Sequence, residues 1–176
     1  PCEKQCRRQM VDDAVNICGL KRFAVDHAAS VPAPPAAPAT GKRVAVIGGG
    51  PGGLTAAYYL SLMGHKVTIY EQRPALGGML RYGIPDYRLP PRILEADIQH
   101  ILSTGIEVHT NFSIGRDAEM SELQKEYDAV YVCIGAHADK KLGLEGEDSQ
   151  GVISAVEMLR GIGEGRLPDL QGKRVC

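Results

Sequence analysis

The clearest pattern along the chain is a run of apolar residues, Val44 to Ile47, that passes directly into the glycine cluster Gly48-Gly-Gly50-Pro-Gly-Gly53. A short apolar run bounded by turn residues suits a buried strand, and glycines at these spacings suit a tight turn that opens a helix. The pattern predicts a strand over 43–48, a helix over 52–63 and a second strand over 66–71 that contains Lys66-Val-Thr-Ile-Tyr70. Leu94, Ile98, Ile101 and Leu102 share one helical face behind Pro91, which suits a first turn, and Gly105 ends that helix. Beyond it, 106–109 reads as a short strand, 121–127 as a short helix, 128–135 as a buried strand ending in Gly135-Ala136, and 155–160 as a helix flanked by glycines. Residues 81–91 are too irregular for a helix and too rich in proline for a central strand, which leaves an ordered loop.

At the amino end, Ile17, Leu20, Phe23, Ala24 and His27 recur at helical spacing behind the possible caps Asp12 and Asp13. Ser30 to Thr40 then places four prolines among small residues, the composition of an extended, semi-rigid linker that cannot build a core. The chain therefore divides into a helical segment (1–29), a linker (30–40), an α/β domain (41–136) and a mostly irregular connection (137–172). Gly41-Lys-Arg-Val44, which leads into the first strand, recurs as Gly172-Lys-Arg-Val175. Either this is a chance match of four residues, or 173–176 begins a second, truncated nucleotide-binding domain.

Length and charge narrow the classes. The 176 residues have room for one sizeable α/β domain and not for two complete nucleotide domains. A net charge of −1 with acids and bases interspersed gives no basic field for nucleic acid and no polybasic membrane patch. Val44 to Gly64 runs 21 residues without a charge, but six glycines and Pro51 argue against a membrane span. No basic and apolar leader opens the chain, so the expected location is the cytoplasm. The five cysteines are an odd number in a chain with a good core, which favours reduced thiols or metal ligands over a disulfide framework. Cys133 is most simply a buried small hydrophobe, and Cys18 a packing residue of its helix. Only Cys2 and Cys6 look paired, and Cys-x-x-x-Cys alone cannot complete a tetrahedral or cluster site. The five histidines show no His-x-x-x-His pairing and read as ordinary surface or core residues.

The glycine cluster carries the chemistry. Gly48 permits the turn, Gly50 lets backbone approach a pyrophosphate, and Gly53 lets the helix lie close on the strand, with the phosphate on free N–H groups at the helix start. The acid expected at the end of the second strand is Glu71, whose carboxylate can accept hydrogen bonds from ribose hydroxyls. A second glycine pair, Gly77-Gly78, follows Gln72-Arg-Pro-Ala-Leu76. A domain that binds NAD has no general need for that pair, whereas a cofactor with a long ribityl arm would use it, so the reading leans to FAD.

Gly77-Gly-Met-Leu-Arg-Tyr-Gly-Ile-Pro-Asp-Tyr-Arg-Leu-Pro90 closely resembles a signature of the flavoprotein small subunit of bacterial glutamate synthase and its relatives, which include the flavin region of dihydropyrimidine dehydrogenase. Pro1-Cys-Glu-Lys-Gln-Cys-Arg-Arg8, Gly19-Leu-Lys-Arg-Phe23, Tyr127 to Ala136 and Gly146-Glu-Asp148 with Gly151-Val-Ile-Ser154 are also similar to that family. The resemblance implies a Rossmann-like FAD-binding domain, a parallel sheet with flanking helices, incomplete here and preceded by a short helical segment of iron-sulfur type. In that family an inserted NAD(P)H domain interrupts the FAD domain. By resemblance, Gly48, Gly50, Pro51, Gly52 and Gly53 would cradle the FAD pyrophosphate. Glu71, Gln72, Arg73, Gly77, Gly78 and Met79 would take the ribose and adjoining chain, and Arg88 a polar part of the cofactor, with Ile114 and Gly135 lining it. Cys2 and Cys6 match cysteines that ligate [4Fe-4S] clusters, but the preceding cysteines of that pattern are absent, and Lys21 stands where some relatives carry a polar or acidic residue.

The activity so implied is an oxidoreductase in which a nicotinamide hydride passes to FAD and single electrons leave through iron-sulfur centres to a redox partner subunit, the glutamate synthase large subunit or that of another oxidoreductase. The cofactor carries such chemistry, so no protein acid, base or nucleophile is assigned. Two alternatives stay open. One is a non-catalytic FAD-binding docking or assembly module of a larger redox complex, and the other a simple NAD dehydrogenase that uses the glycine cluster for NAD.

Overall fold

Arg43–Ile47 forms the central strand, β1, of the computed structural model, which describes residues 1–28 and 31–175. Val44 to Ile47 are all buried, as a strand covered on both faces requires. The chain then turns through the glycines into α2 (Pro51–Leu62), with Pro51 at the first helical position, and returns in β2 (Lys66–Tyr70). The expected uncharged span is thus a strand, a turn and a helix, and no helix among the described residues is long and apolar enough to cross a membrane.

A single turn, α3 (Met79–Tyr82), follows the second glycine pair. The expectation of a non-helical loop over 81–91 is corrected at its start, where Tyr82 buries its ring and pulls the chain into one helical turn. Next come α4 (Pro91–Leu102), β3 (Glu107–His109), α5 (Met120–Glu126), β4 (Ala129–Val132) and α6 (Ala155–Gly163). Glu119 and Glu122 close a reciprocal capping box at the start of α5, and Ser154 Oγ caps α6 by accepting from Glu157 N at 3.1 Å.

The sheet is parallel throughout, in the order β3-β2-β1-β4. One face holds Val46, Val67 and Ile69 against Leu54 and Ala57 of α2 and Leu94 and Ile98 of α4. The other holds Ala45 and Ile47 against Leu123 of α5. Alternate residues of β1 therefore serve opposite faces. β4 corrects the expectation of a buried strand, because it lies at the sheet edge, and Tyr131, Val132 and Ile134 are about half exposed (47%, 53% and 60%). Its apolar composition alone did not show which strands would flank it.

Two compact units are present, Pro1–Pro32 and Ala33–Cys176. The first contains a 3₁₀ turn (Arg7–Met10) and α1 (Ile17–His27), which is capped by Asn16, accepting from Gly19 N at 2.9 Å, rather than by Asp12 or Asp13. The proline segment is not free along its length: Ala37 N donates to Leu62 O at 2.8 Å and Thr40 N to Gly64 O at 2.9 Å, so its second half lies on the α/β unit. Ala29, Ser30 and Cys176, where the helical segment, the linker and the 173–176 phrase have end positions, lie outside the described residues.

Candidate functional site

The strand order reverses between β1 and β4, and at the carboxyl ends of these strands opens a cleft of about 910 Å³. Open parallel sheets bind ligands at this reversal. The floor is the glycine turn, whose shape leaves no choice of residue at two points. Gly48 has φ +112°, and a Cβ there would stand 2.5 Å from Cys133 O. A Cβ on Gly53 would stand 1.9 Å from Gly48 O, so α2 can start this close to β1 only with glycine at 53.

The second glycine pair abuts the first loop. Gly77 N donates to Gly49 O at 2.8 Å, and a Cβ on Gly78, at φ +52°, would come within 2.7 Å of Gly50 Cα. Two backbones thus meet without side chains and leave the Gly50, Pro51 and Gly52 edge facing the cleft. Glu71, only 7% exposed, secures this arrangement from the end of β2. Its Oε2 accepts from Gly49 N at 2.7 Å and its Oε1 from Arg73 N at 2.8 Å.

Of the residues singled out by sequence, Gly48, Gly50, Pro51, Gly52, Glu71, Gln72, Arg73, Gly78, Met79, Ile114 and Gly135 all line the cleft. Gly53 and Gly77 stand behind it, as spacers between backbones and side chains. Arg88 does not reach it: the turn in which Arg88 N donates to Pro85 O turns the residue to solvent, with its guanidinium 5.9 Å from the Tyr87 ring centroid. Cys2 is exposed and Cys6 half-buried in the other unit. Among the described residues no three His, Cys, Asp or Glu side chains gather as a metal site, so these two thiols do not by themselves fit a [4Fe-4S] cluster, which takes four ligands.

Several lining residues escaped sequence reasoning. Tyr82 is held by Ala75, donating to its carbonyl at 3.1 Å and accepting from its N–H at 3.2 Å, and burial raises its hydroxyl pKa. The Arg73 guanidinium lies 5.8 Å from the Tyr82 ring centroid and donates to Glu164 at 2.5 Å, which ties the residue after α6 to the cleft rim. Cys133 lines the wall as a neutral thiol, its Sγ donating to Ile47 O at 3.2 Å and its pKa pushed up by burial and by the charge of Glu71. His137 and Arg160 complete the wall beyond Gly135. Tyr82 and Cys133 lie inside the family-like segments without being singled out there, while His137 and Arg160 lie outside them, and the packing of α6 on α3 brings Arg160 in.

A sequence profile described as NAD(P)-binding Rossmann-like domain matches residues 46–104, the span from β1 through α4. The NADP(+)-dependent formate dehydrogenase subunit beta of Moorella thermoacetica is 42% identical over 100% of this chain and 29% of its own length. The glutamate synthase [NADPH] small chain of Bacillus subtilis is 40% identical over 90% of this chain and 33% of its own. Over that stretch the chain is similar to part of the glutamate synthase small chain. Among solved structures, Mycobacterium tuberculosis FprA in complex with NADPH superposes with this chain at a TM-score of 0.65 and 26% identity, over 74% of this chain and 32% of FprA. The chain is thus a Rossmann-like unit that spans about a third or less of the length of these two curated relatives.

Proposed function

We propose that the cleft binds FAD and that the chain is the flavin-binding part of an NAD(P)H-dependent oxidoreductase. The observation that carries this reading is the double glycine floor, where the Gly48–Gly53 turn and Gly78 meet without a side chain between them at the sheet reversal. A pyrophosphate fits there against backbone at the start of α2, with the positive end of the helix towards it. Glu71 keeps lone pairs beyond its two backbone bonds and offers them to ribose hydroxyls. Gln72, Arg73 and Met79 continue the same wall, and Ile114 and Gly135 face it. When bound, FAD supplies hydride acceptance from NAD(P)H and release of single electrons to a partner. The chain's residues bind, orient and shield it, with Tyr82, Phe112 and Cys133 as neutral walls. The relatives are named as a subunit beta and a small chain, which supports a redox partner subunit, such as a glutamate synthase large subunit. Arg88 is assigned to the cofactor by resemblance alone, and Cys2 and Cys6 to a cluster only with ligands from elsewhere.

The test is an anaerobic visible absorption spectrum of the purified protein, with released cofactor identified by mass and iron quantified on the same sample. Oxidised-flavin bands with FAD released support the reading. A colourless protein that takes up no added FAD overturns it, and NAD released instead would assign the cleft to a dehydrogenase.

A further inference from the structure

Two buried side-chain polar atoms among the described residues have no hydrogen-bond partner, Arg160 Nε and His137 Nδ1, and both residues line the cleft. Folded proteins pair almost all such atoms, so two unpaired ones in a ligand-sized cleft point to a polar ligand group as their partner. We infer that Arg160 is a contact of the bound dinucleotide, donating from its guanidinium to an oxygen of FAD, and that His137 positions it. This rests on the FAD reading given above.

The arrangement is built rather than incidental. α6 is pressed onto α3 closely enough that a Cβ on Gly163 would stand 2.7 Å from Arg81 O, and Glu164 is tied to Arg73. These two contacts set α6 beside the cleft and fix where Arg160 projects. Arg160 Nη2 donates to His137 O at 2.5 Å, while its Nε–H is left without an acceptor. The His137 ring lies over Gly135, whose φ of +73° is what favours glycine there. A guanidinium is permanently charged and planar, and it suits phosphate or carbonyl oxygens better than any neutral donor. Arg160 lines the same cleft as the phosphate-type glycine turn. A charged donor there adds to binding after the backbone has placed the pyrophosphate.

The inference is tested on the purified protein by titrating FAD into the wild type, Arg160→Leu and Arg160→Lys and following flavin fluorescence, with thermal melts of each apo and loaded form. ADP is the second probe, since it carries the pyrophosphate without the flavin. The expected result is FAD binding about tenfold or more weaker in Arg160→Leu, partly recovered in Arg160→Lys, with the apo melting temperature held and only the increase given by FAD reduced. An equal loss with ADP assigns the contact to the pyrophosphate, and a loss with FAD alone assigns it to the flavin half. Wild-type and Arg160→Leu protein binding FAD within twofold of each other overturns the inference and leaves the FAD reading standing. A lowered apo melting temperature with unchanged FAD affinity also overturns it, since that marks a structural arginine. A wild type that binds no FAD overturns the underlying reading and this inference with it.

Discussion

The carboxylate of Glu71 accepts the backbone N–H of Gly49 at 2.7 Å, across 22 residues of sequence, so the acid at the end of β2 holds the middle of the glycine turn. With Arg73 N on its other oxygen, Glu71 organises the floor of the cleft, and its ribose contact is part of the proposed FAD reading. Glu71→Ala would leave both donors unpaired at a nearly closed site, for a loss of about 1–3 kcal/mol per donor. Urea unfolding should show a lower midpoint along with weaker FAD uptake. Unchanged stability with lost uptake would confine Glu71 to ligand contact.

Gly53 and Gly52 are neighbours with opposite expectations. A Cβ at 53 meets Gly48 O at 1.9 Å, so Gly53→Ala must push α2 off β1 and should destabilise by about 1–3 kcal/mol or more. At 52 the nearest atom is Cys133 Cβ at 4.0 Å, and the fold should tolerate alanine within about 0.5 kcal/mol. The added methyl would still face the cleft, so Gly52→Ala should weaken FAD binding while melting like the wild type. Equal melting temperatures for the two variants would contradict the described packing.

Arg73 and Glu164 are 24% and 15% exposed, shielded enough for their pairing to matter more than a surface ion pair. Glu164→Ala should lower stability by about 1–3 kcal/mol and free the end of α6. Limited trypsin digestion should then cut after Arg160 or Arg166 faster than in the wild type. An unchanged digestion rate would mean that α6 is held by its contact with α3 alone.

Cys133 gives a dependence on pH. Burial and the charge of Glu71 raise its thiol pKa in the folded chain, so once pH passes the ordinary thiol value of about 8.5 the unfolded chain loses this proton first. Stability is unaffected by this group below that value and falls as pH rises towards the folded pKa. Cys133→Ala should flatten that alkaline decline. Alkylation followed by peptide mapping should find exposed Cys2 and Cys18 modified well before Cys133 at neutral pH, and rapid labelling of Cys133 would contradict its neutral, partly buried state.

The central strand, the turn, α2, β2 and the acid at its end were legible in the chain because each depends on local chemistry: an apolar run, glycines where no Cβ fits, and a proline at a first helical turn. Their placement within a residue or two of expectation follows from that locality. The second glycine pair was expected to serve a cofactor's ribityl arm, and that Gly78 packs against Gly50 appears only in the folded chain.

Other features depend on which elements become neighbours, and no periodicity carries that. Apolar composition made β4 look buried, yet the strand order left it at an edge. Arg88 belongs to the signature but turns outward, while Arg160, outside every motif, reaches the cleft because α6 seats on α3. The sequence by itself determined the glycine floor of the cleft through steric necessity at single positions. Only the tertiary structure decided its walls, because contacts such as Arg73 with Glu164 join residues that no local pattern relates.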